Sequence, residues 1–194
     1  MEEPADFRLR VRRQVREDAM DAAYAMIVRA GWASVRMTAI AQAVGVSRQT
    51  LYKEFAAKED VGQALVLREA GRFIDGFTEQ IAALQDVPAL IEAAVRFGFE
   101  HGASHRMLVA ILAEQRGDSL LPFVTTDGGA LVAEAAEVLA APIRRLAPHL
   151  DPGDVTETCD ALIRLMVSHL LQPRGDAEAA TRGIVRIALR GLGL

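Results

Sequence analysis

The stretch "MTAIAQAVGVSRQTLYKEF", Met37 to Phe55, decides how this chain is read. A small residue, Ala41, is followed four positions on by Gly45 and ten positions on by Leu51. Two short helices joined by a tight turn bring their backbones close, so a small side chain is needed at the crossing. A glycine supplies the left-handed conformation that ends the first helix. A bulky apolar residue then locks the second helix onto the first, with Val46 and Phe55 helping. The spacing predicts a helix-turn-helix.

At about 100° per residue, turning Leu51 and Phe55 inward sends Gln49 and Lys53 outward. Thr50 and Tyr52 flank that face, Arg48 stands at the N-terminal end, and Ser47 precedes the helix as its cap. These residue types suit the edges of a DNA groove. Gln bridges adenine, Arg or Lys bridges guanine, and Ser, Thr and Tyr hydroxyls bind phosphate oxygens. A helix of this length is not stable alone, so elements around it must hold it.

Working outward, the first helix is expected from about Arg13 to Ala30. Ala19, Ala22, Ala23, Met26, Ile27 and Ala30 mark its buried side, and Gly31 stops it. Trp32 and Val35 read as apolar plugs, and Thr38 as the N-cap of the next helix. Arg8, Arg10, Arg12, Arg13 and Arg16 form a basic cluster. Its first four members are expected before any regular helix, either following phosphates and a minor groove or serving as a solubilising tail. Residues 1–60 carry ten Lys/Arg against nine Asp/Glu, and residues 61–194 twelve against seventeen. Basic charge therefore gathers at the front of a chain whose net charge is −4.

The single cysteine, Cys159, excludes an intrachain disulfide. The acidic start "MEEPADF" does not read as a signal peptide, and charges interrupt the most apolar windows. A cytoplasmic protein with no membrane partner is expected. The pattern is helical nearly throughout, with no alternating run, so the fold class is all-α. The RGD triplets at 116–118 and 174–176 read as turns.

Gly31 to Val61 resembles the N-terminal signature of the tetracycline-repressor (TetR) family of transcriptional regulators. The matching features are Gly31-Trp32, Ile40-Ala41, Gly45 to Ser47, Leu51-Tyr52, Phe55 and Lys58-Glu59. The resemblance implies a three-helix DNA-binding domain over residues 1–57, then a helical effector-binding and dimerisation domain over 58–194. It implies phosphate contacts from Thr38, Tyr52 and Lys58, and a groove-facing set of Arg48, Gln49, Thr50 and Lys53. Glu54 departs from the family pattern. It is expected to turn aside toward Arg48 or Lys53, the alternative being to accept from a cytosine amine.

Behind the head, helices are expected from Lys58 to near Leu84, Pro88 to Gly102, His105 to Gln115, Gly129 to Leu146 with a break or bend at Pro142, Asp154 to Leu171, and Asp176 to Leu192. The last two carry an apolar arc wide enough for burial on two sides. They predict a homodimer through a four-helix bundle about a two-fold axis, with Leu162, Met166, Leu170, Ile184, Ala188 and Leu192 at the interface. By resemblance the body holds a small, largely apolar effector. Phe73, Phe77, Phe97, His101, Met107, Phe123, Met166 and His169 are its candidate wall. The alternative is a DNA-binding regulator whose helical body binds proteins and no effector.

Enzymatic readings are weak. Cys159 and His169 lie on different faces of one helix, and Cys159 sits in an apolar stripe. His101 and His105 lack a third ligand, and no Gly-rich phosphate loop occurs. Neither catalytic residues, cofactor nor metal are expected. The whole reading is of a repressor that binds a pseudo-palindromic operator as a dimer.

Overall fold

The computed structural model describes residues 4–113, 120, 129–173 and 175–194. Among them are nine α-helices and no strand: α1 (Pro4–Ala30), α2 (Met37–Val44), α3 (Arg48–Glu54), α4 (Lys58–Ile81), α5 (Val87–Ser104), α6 (Arg106–Ala113), α7 (Gly129–Leu146), α8 (Pro152–Leu171) and α9 (Ala177–Gly191). A single 3-10 turn, Trp32–Ser34, links α1 to α2. The helices pack as two units. The first holds residues 1–69 and 106–124, and the second residues 70–105 and 125–194. The 57/58 boundary drawn from the sequence separates expected functions; packing instead divides the chain within α4 and adds α6 to the first unit.

In the first unit, Ala19, Ala23 and Ile27 make one fully buried line along α1. That helix begins at Pro4, well before the expected Arg13, so Arg8, Arg10, Arg12 and Arg13 are helical. Gly31 closes it with φ 76° and a bond from its N–H to the Ile27 carbonyl. Trp32 and Val35 are buried as expected. Gly62 lets α4 pass close to them: a Cβ there would lie 2.8 Å from the Trp32 ring and 2.5 Å from Leu120.

Thr38 is not the cap of α2. The helix starts at Met37 with Arg36 in the extended conformation before it, and no side chain caps it. Arg36 instead donates back to the Ala33 and Val35 carbonyls, at 2.6 and 2.9 Å. Burial of Val35 and Met37 on either side fixes the start earlier than cap chemistry alone indicated.

The second unit is built on Leu90, Ile91, Leu139, Ile143, Val155 and Leu162, each at most 2 % exposed. Asp86 caps α5 by accepting from the Ala89 N–H, and Asp176 caps α9 through Ala179. Asp151 caps α8 by accepting from Gly153 and Asp154, with Pro152 in the first turn. The Asp-Pro start therefore lies two residues before the expected one. Pro142 does not end its helix, which runs on to Leu146.

Within one subunit the expected dimer residues pack into the core, and three of them, Leu162, Ile184 and Ala188, also line a groove on α8 and α9. Leu162, Met166, Ile184, Ala188 and Leu192 are buried in the subunit's own core, and Leu170 packs against it. For two of them, Gly98 and Gly102 on α5 are the reason. They leave room for Met166 and Leu170, whose side chains occupy the space a Cβ would take. Ion pairs fasten the unit's surface. Arg96 joins Glu92 to Glu178 on α9, and Arg144 pairs with Glu137 while donating to Thr156 on α8.

Candidate nucleic-acid interface

The turn between α2 and α3 is made as its residues require. Gly45 takes φ 75° and ψ 25°, the left-handed region, and the Val46 N–H reaches back to the Ala41 carbonyl at 3.0 Å. Ser47 caps α3, accepting from the Thr50 N–H at 3.1 Å, and its hydroxyl lies 2.8 Å from the Thr50 hydroxyl. Ile40, Ala41, Leu51 and Phe55 are buried beneath. What remains outside is the expected polar face: Ser47, Arg48, Gln49, Thr50, Tyr52 and Lys53 are all exposed. Thr38 is exposed in the first turn of α2. Lys58, half-buried at the start of α4, donates to the Trp32 carbonyl at 3.3 Å, with its ammonium 4.4 Å from that ring's centroid. These contacts with an aromatic plug help hold the N-terminus of α4 in place.

A seven-residue helix needs outside support, and α1 supplies it. The Arg12 guanidinium donates to both Glu54 carboxylate oxygens, at 2.8 and 3.3 Å. Arg16 donates to the Glu54 carbonyl at 2.6 Å and lies 4.3 Å from the Phe55 ring centroid. Both cations stand at the C-terminus of α3, where unpaired carbonyls and the helix dipole favour positive charge. The bond and charge of Glu54 hold the Arg12 guanidinium above its ordinary pKa. Glu54 thus turns aside, but toward Arg12 and not toward Arg48 or Lys53. Sequence reasoning missed this pair because its members are 42 positions apart. The one available hint was the i, i+4 placement of Arg12 and Arg16 on a single helix face.

α1 is also tied to α4. Arg68 reaches Glu17 and Asp21 at 3.1 and 2.8 Å, and Glu69 at 3.2 Å. Burial disfavours its charge, yet the bonds and charges of Glu17 and Asp21 outweigh that and raise its pKa. Arginine clusters thus tie α1 to both α3 and α4.

The candidate effector residues separate into groups. Phe73, Phe77, Phe97 and His101 form a ring cluster, with His101 stacked on Phe97 at 3.8 Å between centroids. His169 sits edge-on to Phe99, 6.2 Å away, and Met166 lies over Gly98. Met107 is buried and belongs to the first unit, whereas the other described members of the expected set belong to the second. Phe123 lies outside the described residues. Cys159 is buried and its thiol is pushed up to about 12, which keeps it unreactive. Among the described residues no three His, Cys, Asp or Glu side chains converge as a metal site would need. No helix among them is long and apolar enough to cross a membrane.

A capped short helix with an outward polar face, seated on its predecessor by Ala41, Gly45 and Leu51, defines a helix-turn-helix DNA-binding head. Residues 19–65 match the family described as bacterial regulatory proteins, tetR family, and residues 86–190 match the bacterial tetracyclin repressor C-terminal domain. The chain belongs to the TetR family of DNA-binding transcriptional regulators. It is 26% identical over 170 residues to the HTH-type transcriptional regulator AlkX of Mycobacterium tuberculosis, covering 86% of this chain and 80% of that one. In fold it is similar to the TetR family repressor AlkX from a Dietzia strain, implicated in biodegradation of n-alkanes. That match has TM-score 0.69 and 22% identity over 92% of this chain and 96% of the other. It is also similar to RolR in complex with the ligand resorcinol, with TM-score 0.67 and 15% identity over 96% and 91%. The relatives named are transcriptional regulators, not enzymes.

Proposed function

We infer that the protein is a ligand-responsive repressor that binds a pseudo-palindromic operator as a homodimer. One observation carries the reading most. The outward face of α3 holds Arg48, Gln49, Thr50 and Lys53 on a helix fixed by Gly45 and Ser47. Gln49 and Lys53 read base edges, while Thr38, Ser47 and Tyr52 bind phosphates. Lys58, at the N-terminus of α4, is assigned to phosphate by its position and charge.

The dimer forms on the outer face of α8 and α9. A groove of about 360 Å³ there is lined by Leu162, Leu165, Ile184, Ile187 and Ala188, among others. Ile187 is 55 % exposed, which for a large aliphatic side chain in a wide apolar face marks a covered surface. Operator binding then requires the two copies of α3 in the dimer to match the groove spacing of the duplex.

The effector is small and largely apolar. The ring cluster of Phe73, Phe77, Phe97 and His101 supports this, as does the ligand-bound state of RolR and the n-alkane context of the Dietzia repressor. Binding couples to DNA through α4, which belongs to the head at its start and to the body at its end. A ligand that favours one arrangement of that helix disfavours the operator, and linkage makes the effect reciprocal. Selection from random duplexes tests the reading directly. An enriched palindromic motif is expected, and a folded protein that enriches none would overturn it. An alkane-class compound that binds the body yet leaves operator affinity unchanged at saturation would remove the effector step alone.

A further inference from the structure

Glu54 is chemically out of place. It is the last residue of the helix that faces a polyanion, and a carboxylate there repels phosphate. The structure shows what becomes of it. Its side chain is 7 % exposed, enclosed under Arg12, whose own side chain is 60 % exposed. Both carboxylate oxygens are engaged by that one guanidinium, in a fork-to-fork arrangement that fixes orientation as well as distance. The neighbouring cation, Arg16, is spent on the Glu54 carbonyl and the Phe55 ring.

We propose that Glu54 is a specificity-determining residue: it withholds Arg12 from the phosphates and sets the seat of α3, so that operator discrimination depends on a carboxylate that touches no base. The inference rests on α3 being the helix that reads the groove. The reasoning is one of charge and reach. A flexible arginine at the edge of a reading head binds any duplex equally, because phosphates carry no sequence information. Tied to Glu54, Arg12 adds no such affinity. Its charge is matched within the protein, and its geometry is used to hold the C-terminal end of α3 against α1. The outward set on α3 then approaches the bases from a fixed platform.

The test is a salt titration of binding to the operator and to a scrambled duplex. It uses the full-length wild type and the variants Glu54→Gln, Glu54→Asp and Arg12→Gln/Glu54→Gln. Freeing Arg12 in Glu54→Gln should steepen the log-log salt dependence by about 0.9, one extra phosphate neutralised. Extrapolated from 1 M salt, that makes scrambled duplex bind about tenfold tighter near 0.1 M. The operator complex gains the same phosphate contact but loses the fixed seat of α3, so its net affinity should not rise and discrimination falls by a similar factor. Glu54→Asp keeps the charge on Arg12 and should keep the wild-type slope. The double variant removes the freed cation, so its slope should return to the wild-type value.

An unchanged slope in folded Glu54→Gln overturns the proposal. So does a double variant with a slope shallower than wild type by about one, since Arg12 would then already contact a phosphate in the wild type. That second arm decides the matter even where Glu54→Gln unfolds the head, which circular dichroism detects. A wild type that selects no operator at all overturns the groove-reading role of α3 and this inference with it. A wild type that selects one while the slopes fail as described overturns only the role of Glu54.

Discussion

The α2–α3 turn and the α8–α9 pair are each two helices held together, yet by different means. In the turn, α3 has seven residues and is held by a glycine, a serine cap and two arginines from α1. Its inner face is apolar and its outer face polar. In the pair, helices of twenty and fifteen residues are held chiefly by side-chain packing, and apolar residues stand on both sides. Met166 is buried in the subunit's core, Leu162, Ile184 and Ala188 are buried there and also line the outer groove, and Leu165 and Ile187 line that groove with them. The first arrangement displays hydrogen-bonding groups on a small, rigid platform, as recognition of base edges requires. The second leaves apolar area for a like surface to cover. Local chemistry fixes the turn, and breadth of apolar surface distinguishes the pair.

The contrast breaks most visibly at its apolar anchors. Leu51→Ala removes a fully buried side chain from the smaller of the two packings. It should cost about 2–5 kcal/mol of head stability and abolish operator binding. Denaturant unfolding followed by Trp32 fluorescence should show the head transition moving ahead of the loss of helicity from the body. A single coincident transition would show that the two packings do not unfold separately.

On the body side, Ile187→Asp should dissociate the dimer while leaving each subunit's own core intact. Sedimentation measures the mass and thermal melting the fold. Ile184→Ala, by contrast, opens a cavity inside the subunit and should lower stability by about 2–5 kcal/mol. If Ile187→Asp remained a dimer, the face assigned to α8 and α9 would be wrong.

Gln49→Ala sharpens the head's side of the comparison. It should relax preference at one or two base positions, at about 1–3 kcal/mol, with protein stability unchanged. Competition between operator variants reads this directly. Ser47→Ala should cost less, about 1 kcal/mol, through loss of the cap on the Thr50 N–H. The melting temperature of the head measures it.

The smallest effect belongs to the body's surface pairs. Arg96 beside Glu178 holds that carboxyl below the usual carboxylate range, by hydrogen bond and by charge. A carboxyl lowered on folding contributes stability above its unfolded pKa, and that contribution is lost as pH falls through the folded value. The pair is exposed and solvent screens it. Arg96→Gln should therefore leave melting near neutral pH almost unmoved and slightly flatten the fall in stability on acidification. An acid limb identical to wild type would show the pair to be inert.

The helix-turn-helix was readable in the sequence because its determinants are local. Ala41, Gly45, Ser47 and Leu51 lie within eleven positions, and each acts through backbone conformation or a contact one turn away. The helical segments of the body were readable for a similar reason, from their periodicity. The sequence by itself therefore determined that the chain is all-helical, where its reading helix lies and which side of that helix is polar.

Tertiary structure alone decided which apolar stripe of α8 and α9 faces inward. Period 3.6 marks an apolar face but not what covers it, and here Gly98 and Gly102, over sixty positions away, receive Met166 and Leu170. It decided the start of α2 through burial of Val35 and Met37, against the cap chemistry of Thr38. It also decided the partner of Glu54. Coulomb attraction falls with distance in space and is blind to distance along the chain, so Arg12 wins over the nearer-in-sequence Arg48 and Lys53 once α1 is packed against α3.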